Sequence, residues 1–111
     1  MKRGENRLAG AFSSGERPVL ITFTVAGDPD YETSLAIMHQ MADAGAGIIE
    51  LGLPFSDPVA DGPVIQRADI RAMEAGMNTD RLFELVRDFR AESTVPIVVL
   101  AYANLVMRRG I

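Results

Sequence analysis

Three short runs rich in β-branched and aromatic residues punctuate this chain, and between them the apolar residues recur at helical spacing. The runs are PVLITFTVAG from Pro18, GIIELGLP from Gly47 and VPIVVLAY from Val95. Val, Ile, Thr and Phe at such density favour an extended, half-buried chain over a helix. Between the first two lies DPDYETSLAIMHQMADAGAG. There Asp28 is suited to cap a helix, Pro29 to its first turn, Asp30 and Glu32 to the positive end of its dipole and Gly45 to its termination. Leu35, Met38, Met41 and Ala42 form its apolar stripe. Between the second and third runs the pattern predicts two helices. One spans Pro63 to Ala75, and the other Thr79 to about Arg90, with Leu82, Phe83, Val86 and Phe89 at core spacing. A short helix carrying Leu8, Ala11 and Phe12 precedes the first strand.

The order strand, helix, strand, helix pair, strand calls for parallel strands joined by right-handed crossovers, so the expected class is α/β. No linker or low-complexity tract divides residues 1–111, which read as part of one domain. Three strands leave open sheet edges, and the sequence stops at NLVMRRGI where a further helix is due, so the chain reads as cut short.

Composition narrows the function classes. With 48% hydrophobic and 23% charged residues, the 111-residue chain has globular composition. A net charge of −4, with no basic cluster larger than a doublet such as Arg108-Arg109, argues against a nucleic-acid or anionic-membrane surface. The absence of cysteine removes disulfides and thiolate metal sites. The opening MKRGENRLAGAF is interrupted by Glu5 and Asn6 and shows no export signal. The longest apolar stretch, Val95 to Leu105, contains Pro96, Tyr102 and Asn104 and is too short for a bilayer. A soluble, cytoplasmic protein is expected.

The chemistry concentrates in IIELGLPFSDPVADGP, Ile48 to Pro63. Alternation along a strand puts Ile48 and Glu50 on one face and Ile49 and Leu51 on the other. If helices cover the second face, Glu50 points the opposite way, into the interior if the sheet closes as a barrel. Gly52 and Pro54 then mark the carboxyl end of the strand, where α/β enzymes build their sites. A carboxylate so placed either recruits a donor or keeps its proton, and both conditions suit general acid–base work. The alternative is a structural carboxylate satisfied locally. Asp57 in Ser-Asp-Pro and Asp61 in Asp-Gly-Pro are also consistent with turn and cap chemistry when taken singly.

The stretch ELGLPFSDPVADGPVIQ, Glu50 to Gln66, resembles the signature of the tryptophan synthase alpha chain family, whose members are (β/α)₈ barrel lyases that split indole-3-glycerol phosphate into indole and glyceraldehyde 3-phosphate. FTVAGDPD at Phe23 to Asp30 is similar to the family's first strand and turn, and PIVVLAYANLV at Pro96 to Val106 to its third strand. The resemblance implies a partial TIM barrel containing about three of eight units, since a complete barrel needs about 250 residues. It also implies that Glu50 is the catalytic acid delivering a proton to indole C3. Asp61 is implied to accept the indole N–H and to stabilise positive charge on the ring. Phe23, Leu100 and Tyr102 match positions lining the indole pocket, with core packing as their alternative. Pro54, Asp57 and Asn104 match positions facing a beta-chain partner in an α2β2 assembly, with turn chemistry as theirs. No metal or organic cofactor is implied for this chain, pyridoxal phosphate being expected only in the beta chain.

The family's phosphate-gripping loops match nothing before Ile111, so the isolated chain is expected to be inactive. Val25 departs from the family pattern, which has Thr two residues before the glycine of Gly-Asp-Pro. A non-catalytic alpha-like module that docks on a beta subunit is the competing class. A metal-dependent phosphate-binding barrel such as a pentulose-phosphate epimerase relative is disfavoured, because the single His39 lies in a helical segment.

Overall fold

The computed structural model describes residues 10, 18–55 and 62–101. Its elements follow the expected order: β1 (Ile21–Val25), α1 (Tyr31–Asp43), β2 (Ile48–Gly52), α2 (Pro63–Glu74), α3 (Thr79–Arg90) and β3 (Ile97–Leu100). The expected N-terminal helix falls outside the described residues except for Gly10, which is helical.

The strands form one parallel sheet in the order β1-β2-β3. Ile21 to Val25 pair with Ile48 to Gly52, and Ile49 to Gly52 with Ile97 to Leu100. Residues paired across a sheet share a face. Thr22, Ile49 and Ile97 therefore line one side, while Phe23, Glu50 and Val98 line the other. Ile49 and Leu51 belong to a single core cluster with Met38 of α1, Ala68 and Ala72 of α2, and Leu82, Leu85 and Phe89 of α3. Among the described residues, α1, α2 and α3 thus cover the Ile49 face, and none of them covers the middle of the Glu50 face. That is the arrangement of a singly wound barrel wall, not of a doubly wound sheet with helices on both sides.

Two details differ from the sequence reading. Helix α1 starts two residues later than expected: Asp30, not Asp28, is its cap, accepting from the Thr33 backbone N–H at 2.8 Å and from the Thr33 hydroxyl at 3.1 Å. The Thr33 backbone N–H holds the Asp30 carboxyl below its ordinary pKa. Asp28 instead meets a guanidinium from α2, described below. Pro29 lies ahead of the cap, after a cis peptide bond. In α3, Phe83 is 55% exposed and Leu85 takes the core position expected for it. Leu82, Leu85, Val86 and Phe89 follow the i, i+3, i+4, i+7 spacing of one helical face, and Phe83 sits about 100° off Leu82.

Helices α1 and α3 are tied by more than apolar contact. The Tyr31 hydroxyl donates to Asp88, and the Arg81 guanidinium sits 4.1 Å above the Tyr31 ring. Burial, reinforced by the Asp88 carboxylate, pushes the Tyr31 phenol up to about 12. His39 stacks on Phe89 with ring centroids 4.9 Å apart and reaches Glu92 at 3.3 Å, so this histidine packs helices together. Arg90 then guides the chain into β3 by donating to the carbonyls of Ser93 and Val95.

Among the described residues one buried side-chain oxygen has no partner, the hydroxyl of Thr22 on the helix-facing side of β1. A buried hydroxyl that has given up water without replacing the bond costs about 1–3 kcal/mol. Thr22→Val keeps the β-branched shape and removes the orphan, so it is expected to raise stability by about 1 kcal/mol. The midpoint of urea denaturation checks this. An unchanged or lowered midpoint would show that the hydroxyl is satisfied in solution.

Candidate active site

Glu50 occupies the centre of β2, half-buried between Phe23 on β1 and Val98 on β3. Its neighbours along the strand, Ile49 and Leu51, are fully buried against the helices. Glu50 therefore projects to the opposite side of the sheet, as the alternation of residues demands. Among the described residues its carboxylate takes part in no ion pair. The acid is held in a parallel strand between two neighbouring strands, which fixes where its side chain starts.

Two residues further along β2 and β3, the sheet ends in a pocket of about 180 Å³. Phe23 of β1, Gly52 and Leu53 from the end of β2, and Leu100 and Ala101 from the end of β3 make its floor and one side. Ile65 and Asp69 of α2 face them. The strand ends beneath it are pinned by two backbone bonds, Ala26 N–H to the Gly52 carbonyl at 2.8 Å and Leu53 N–H to the Leu100 carbonyl at 2.9 Å. The volume is below the roughly 300–1,000 Å³ of ordinary ligand sites, because three strands enclose only part of a cylinder.

Phe23 and Leu100, two of the three residues expected to line an aromatic pocket, come together here, 39% and 44% exposed. An apolar floor and an aromatic ring with a carboxylate just beneath suit a flat apolar ligand that must be protonated. Pro54, expected at a partner interface, is buried where the chain leaves β2. Asp57, Asp61, Tyr102 and Asn104 lie outside the described residues. Gly62 is the N-cap of α2 and Pro63 its first residue, so the helical entry anticipated after Asp61 is present.

Sequence reasoning passed over Asp69. It is only 4% exposed and is the one carboxylate lining the pocket among the described residues. The signal was available: Asp69 lies on the same helical face as Ile65, Ala68 and Ala72, and an acid inside an apolar stripe is rarely there by default.

Gly52 has a specific steric reason to be glycine. A Cβ there would stand 3.1 Å from Phe23 Cζ and 3.3 Å from Cε2. Phe23 is open on its pocket side, so a Gly52→Ala change is expected to swing the ring into the cavity and leave the backbone in place. Binding of an aromatic ligand should weaken several-fold, by about 1 kcal/mol, with little change in stability. Titration with indole checks this, and unchanged affinity would mean that the ring does not contact the ligand.

Among the described residues no group of three His, Cys, Asp or Glu side chains is placed to hold a metal ion, and no helix is long and apolar enough to cross a membrane.

Comparison with known proteins agrees with this fold. A sequence model described as tryptophan synthase alpha chain matches residues 11–111. The tryptophan synthase alpha chain of Methanoregula boonei is 52% identical over 105 residues, covering 95% of this chain and 40% of the relative. That of Methanothermobacter thermautotrophicus is 47% identical, covering 93% and 38%. Tryptophan synthase subunit alpha from Legionella pneumophila superposes with a TM-score of 0.89 at 37% identity, over 99% of this chain and 42% of that one. A chain of the tryptophan synthase complex from Pyrococcus furiosus gives 0.78 at 43% identity, over 83% and 38%. This chain thus spans about 40% of the length of the curated relatives it matches.

Proposed function

The chain belongs to the tryptophan synthase alpha chain family, and on that premise we propose that it supplies the first three units of an alpha subunit that cleaves indole-3-glycerol phosphate. The observation that carries the reading is the position of Glu50. It is a half-buried acid on the sheet face opposite Ile49 and Leu51, paired with Phe23 and two residues before Gly52 of the pocket.

The chemistry is a retro-aldol cleavage. Glu50 gives its proton to C3 of the indole ring, the bond from C3 to the glycerol phosphate side chain breaks, and the side-chain hydroxyl loses its proton as the aldehyde forms. Glu50 can take up that proton, returning to its starting state. Asp61 accepts the indole N–H and stabilises the positive charge that C3 protonation puts on the ring. Phe23, Leu100 and Tyr102 hold the ring by apolar and aromatic contact. The side chains suffice for this chemistry, with neither metal nor organic cofactor in the alpha reaction.

The partner in this reading is a beta chain, approached through Pro54, Asp57 and Asn104, the first two on the connection from β2 to α2. The solved complex from Pyrococcus furiosus supports an assembly of this kind. Pro54 contributes by fixing the start of that connection, since its own ring is buried. An α2β2 stoichiometry and a cytoplasmic, tryptophan-forming role complete the proposal.

The test is release of indole from indole-3-glycerol phosphate by the full-length polypeptide. Turnover is expected there and none from the 111 residues alone, in which no stretch matches the family's phosphate-gripping loops. A full-length protein that binds a beta chain but releases no indole would favour a docking module instead. Turnover by the 111-residue chain would show that the phosphate loops are dispensable.

A further inference from the structure

Helix α2 carries one wall of the pocket, yet it has little with which to hold its own place. Its buried residues are Ala68, Asp69 and Ala72. By contrast α3 buries Leu82, Leu85 and Phe89. Two alanine methyls bury far less apolar area than two leucines and a phenylalanine, so apolar packing fixes α3 much more firmly than α2. Ile65 packs partly buried against the core as well, and a polar restraint adds to these contacts in setting the rotation and height of α2 above the sheet.

That restraint comes from the turn after β1. Asp28 accepts two parallel hydrogen bonds from Arg71, at 2.8 Å from Nε and 3.0 Å from Nη2, across 43 positions of sequence. A two-pronged carboxylate–guanidinium pair fixes direction as well as distance. The turn is itself rigid. The Gly27 backbone N–H donates to the buried Ser34 hydroxyl at 2.9 Å, and Gly27 has φ +81°, a left-handed conformation that glycine alone adopts easily. A Cβ on Gly27 would lie 2.7 Å from Met77 Cε, so the turn also seats the segment just after α2. Arg71 follows Asp69 by two residues and Ile65 by six, and both of these line the pocket opposite Phe23.

We propose that Asp28 and Arg71 are positioning residues for the reaction, a clamp that seats α2 on the end of β1 and so sets the width of the pocket between Phe23 and the Ile65–Asp69 wall. The pair touches no substrate atom and acts through the helix. Its specificity is geometric: Arg71→Lys keeps the charge but loses the fork, and is expected to recover only part of the effect. The proposal rests on the function given above for the same site.

The experiment compares Asp28→Asn, Arg71→Gln and the double variant with unsubstituted full-length protein. Two readings are taken: KM and kcat for indole-3-glycerol phosphate, and hydrogen exchange at the amides of α2. Loosening the wall weakens binding in ground and transition state alike, so KM is expected to rise with kcat little changed. The loss in kcat/KM should reach about tenfold, the scale of a modest misplacement remote from the reacting atoms. Exchange in α2 should quicken. The double variant should be no worse than the weaker single one, because both singles break the same link.

An unchanged KM overturns the clamp as a positioning device, whatever happens to melting temperature. Additive losses from the two single changes overturn it as a pair. Should the unsubstituted protein release no indole, the proposed function fails, and the exchange measurement decides the clamp alone: α2 amides as slow in Asp28→Asn and Arg71→Gln as in the parent would refute it.

Discussion

Glu50→Gln, introduced into the full-length protein, is expected to lower indole release by about 10²–10⁴-fold, the range over which a positioned proton donor contributes to a reaction. That is about 3–5 kcal/mol in activation free energy at 1.36 kcal/mol per tenfold. Glutamine has the shape of glutamate but no proton that it can deliver to carbon, so the substitution isolates the chemical role. The fold should not suffer, because the carboxylate makes no ion pair among the described residues and a neutral amide is less costly to keep half-buried. The expected signature is a collapse of kcat at unchanged melting temperature. Glu50→Asp, which keeps the acid but withdraws it by one methylene, should fall between the two. Activity within tenfold of the parent for the Gln variant would remove Glu50 from the mechanism and leave it a structural carboxylate.

Phe89→Ala is expected to have the largest effect on stability. Phe89 is fully buried at the end of α3, inside the core cluster that joins the helices to Ile49 and Leu51 of β2. It also carries the stacked His39 ring of α1. Removing a buried phenylalanine side chain costs about 3–5 kcal/mol, as lost transfer energy and as a cavity that the neighbours fill only partly. A domain with a total stability of about 5–15 kcal/mol would lose a large fraction of it. Chemical denaturation of the variant measures this directly. A loss under about 1 kcal/mol would mean that α1 and α3 close over the gap, and that the cluster is less tightly packed than its burial implies.

The same two residues show how unevenly the chain could be read in advance. Phe89 was legible because its spacing from Leu82 and Val86 repeats the helix, and burial follows from such a stripe wherever a sheet lies beneath it. Phe83 was misread because short apolar helices carry more large side chains than one face can hold, and only packing decides between Phe83 and Leu85. The α1 cap was misread for a related reason. Asp28 and Asp30 are equally good caps taken locally, and Asp28 is withdrawn from the competition by Arg71, a residue 43 positions away. Asp69 was visible as an acid within an apolar stripe but had no meaning until α2 was seen to border the pocket.

Local chemistry in the sequence determined the alternation of strands and helices, the parallel sheet that alternation requires, and the opposite facing of Glu50 from Ile49 and Leu51, because these depend on side-chain periodicity and on connections too long for hairpins. Tertiary structure alone decided that all three helices pack on one face, that Phe23 and Leu100 meet at one pocket above Glu50, and that Asp28 holds α2 in place. Each of these depends on distances between segments far apart in the chain, and no local preference of a residue encodes how far away its eventual neighbour will be.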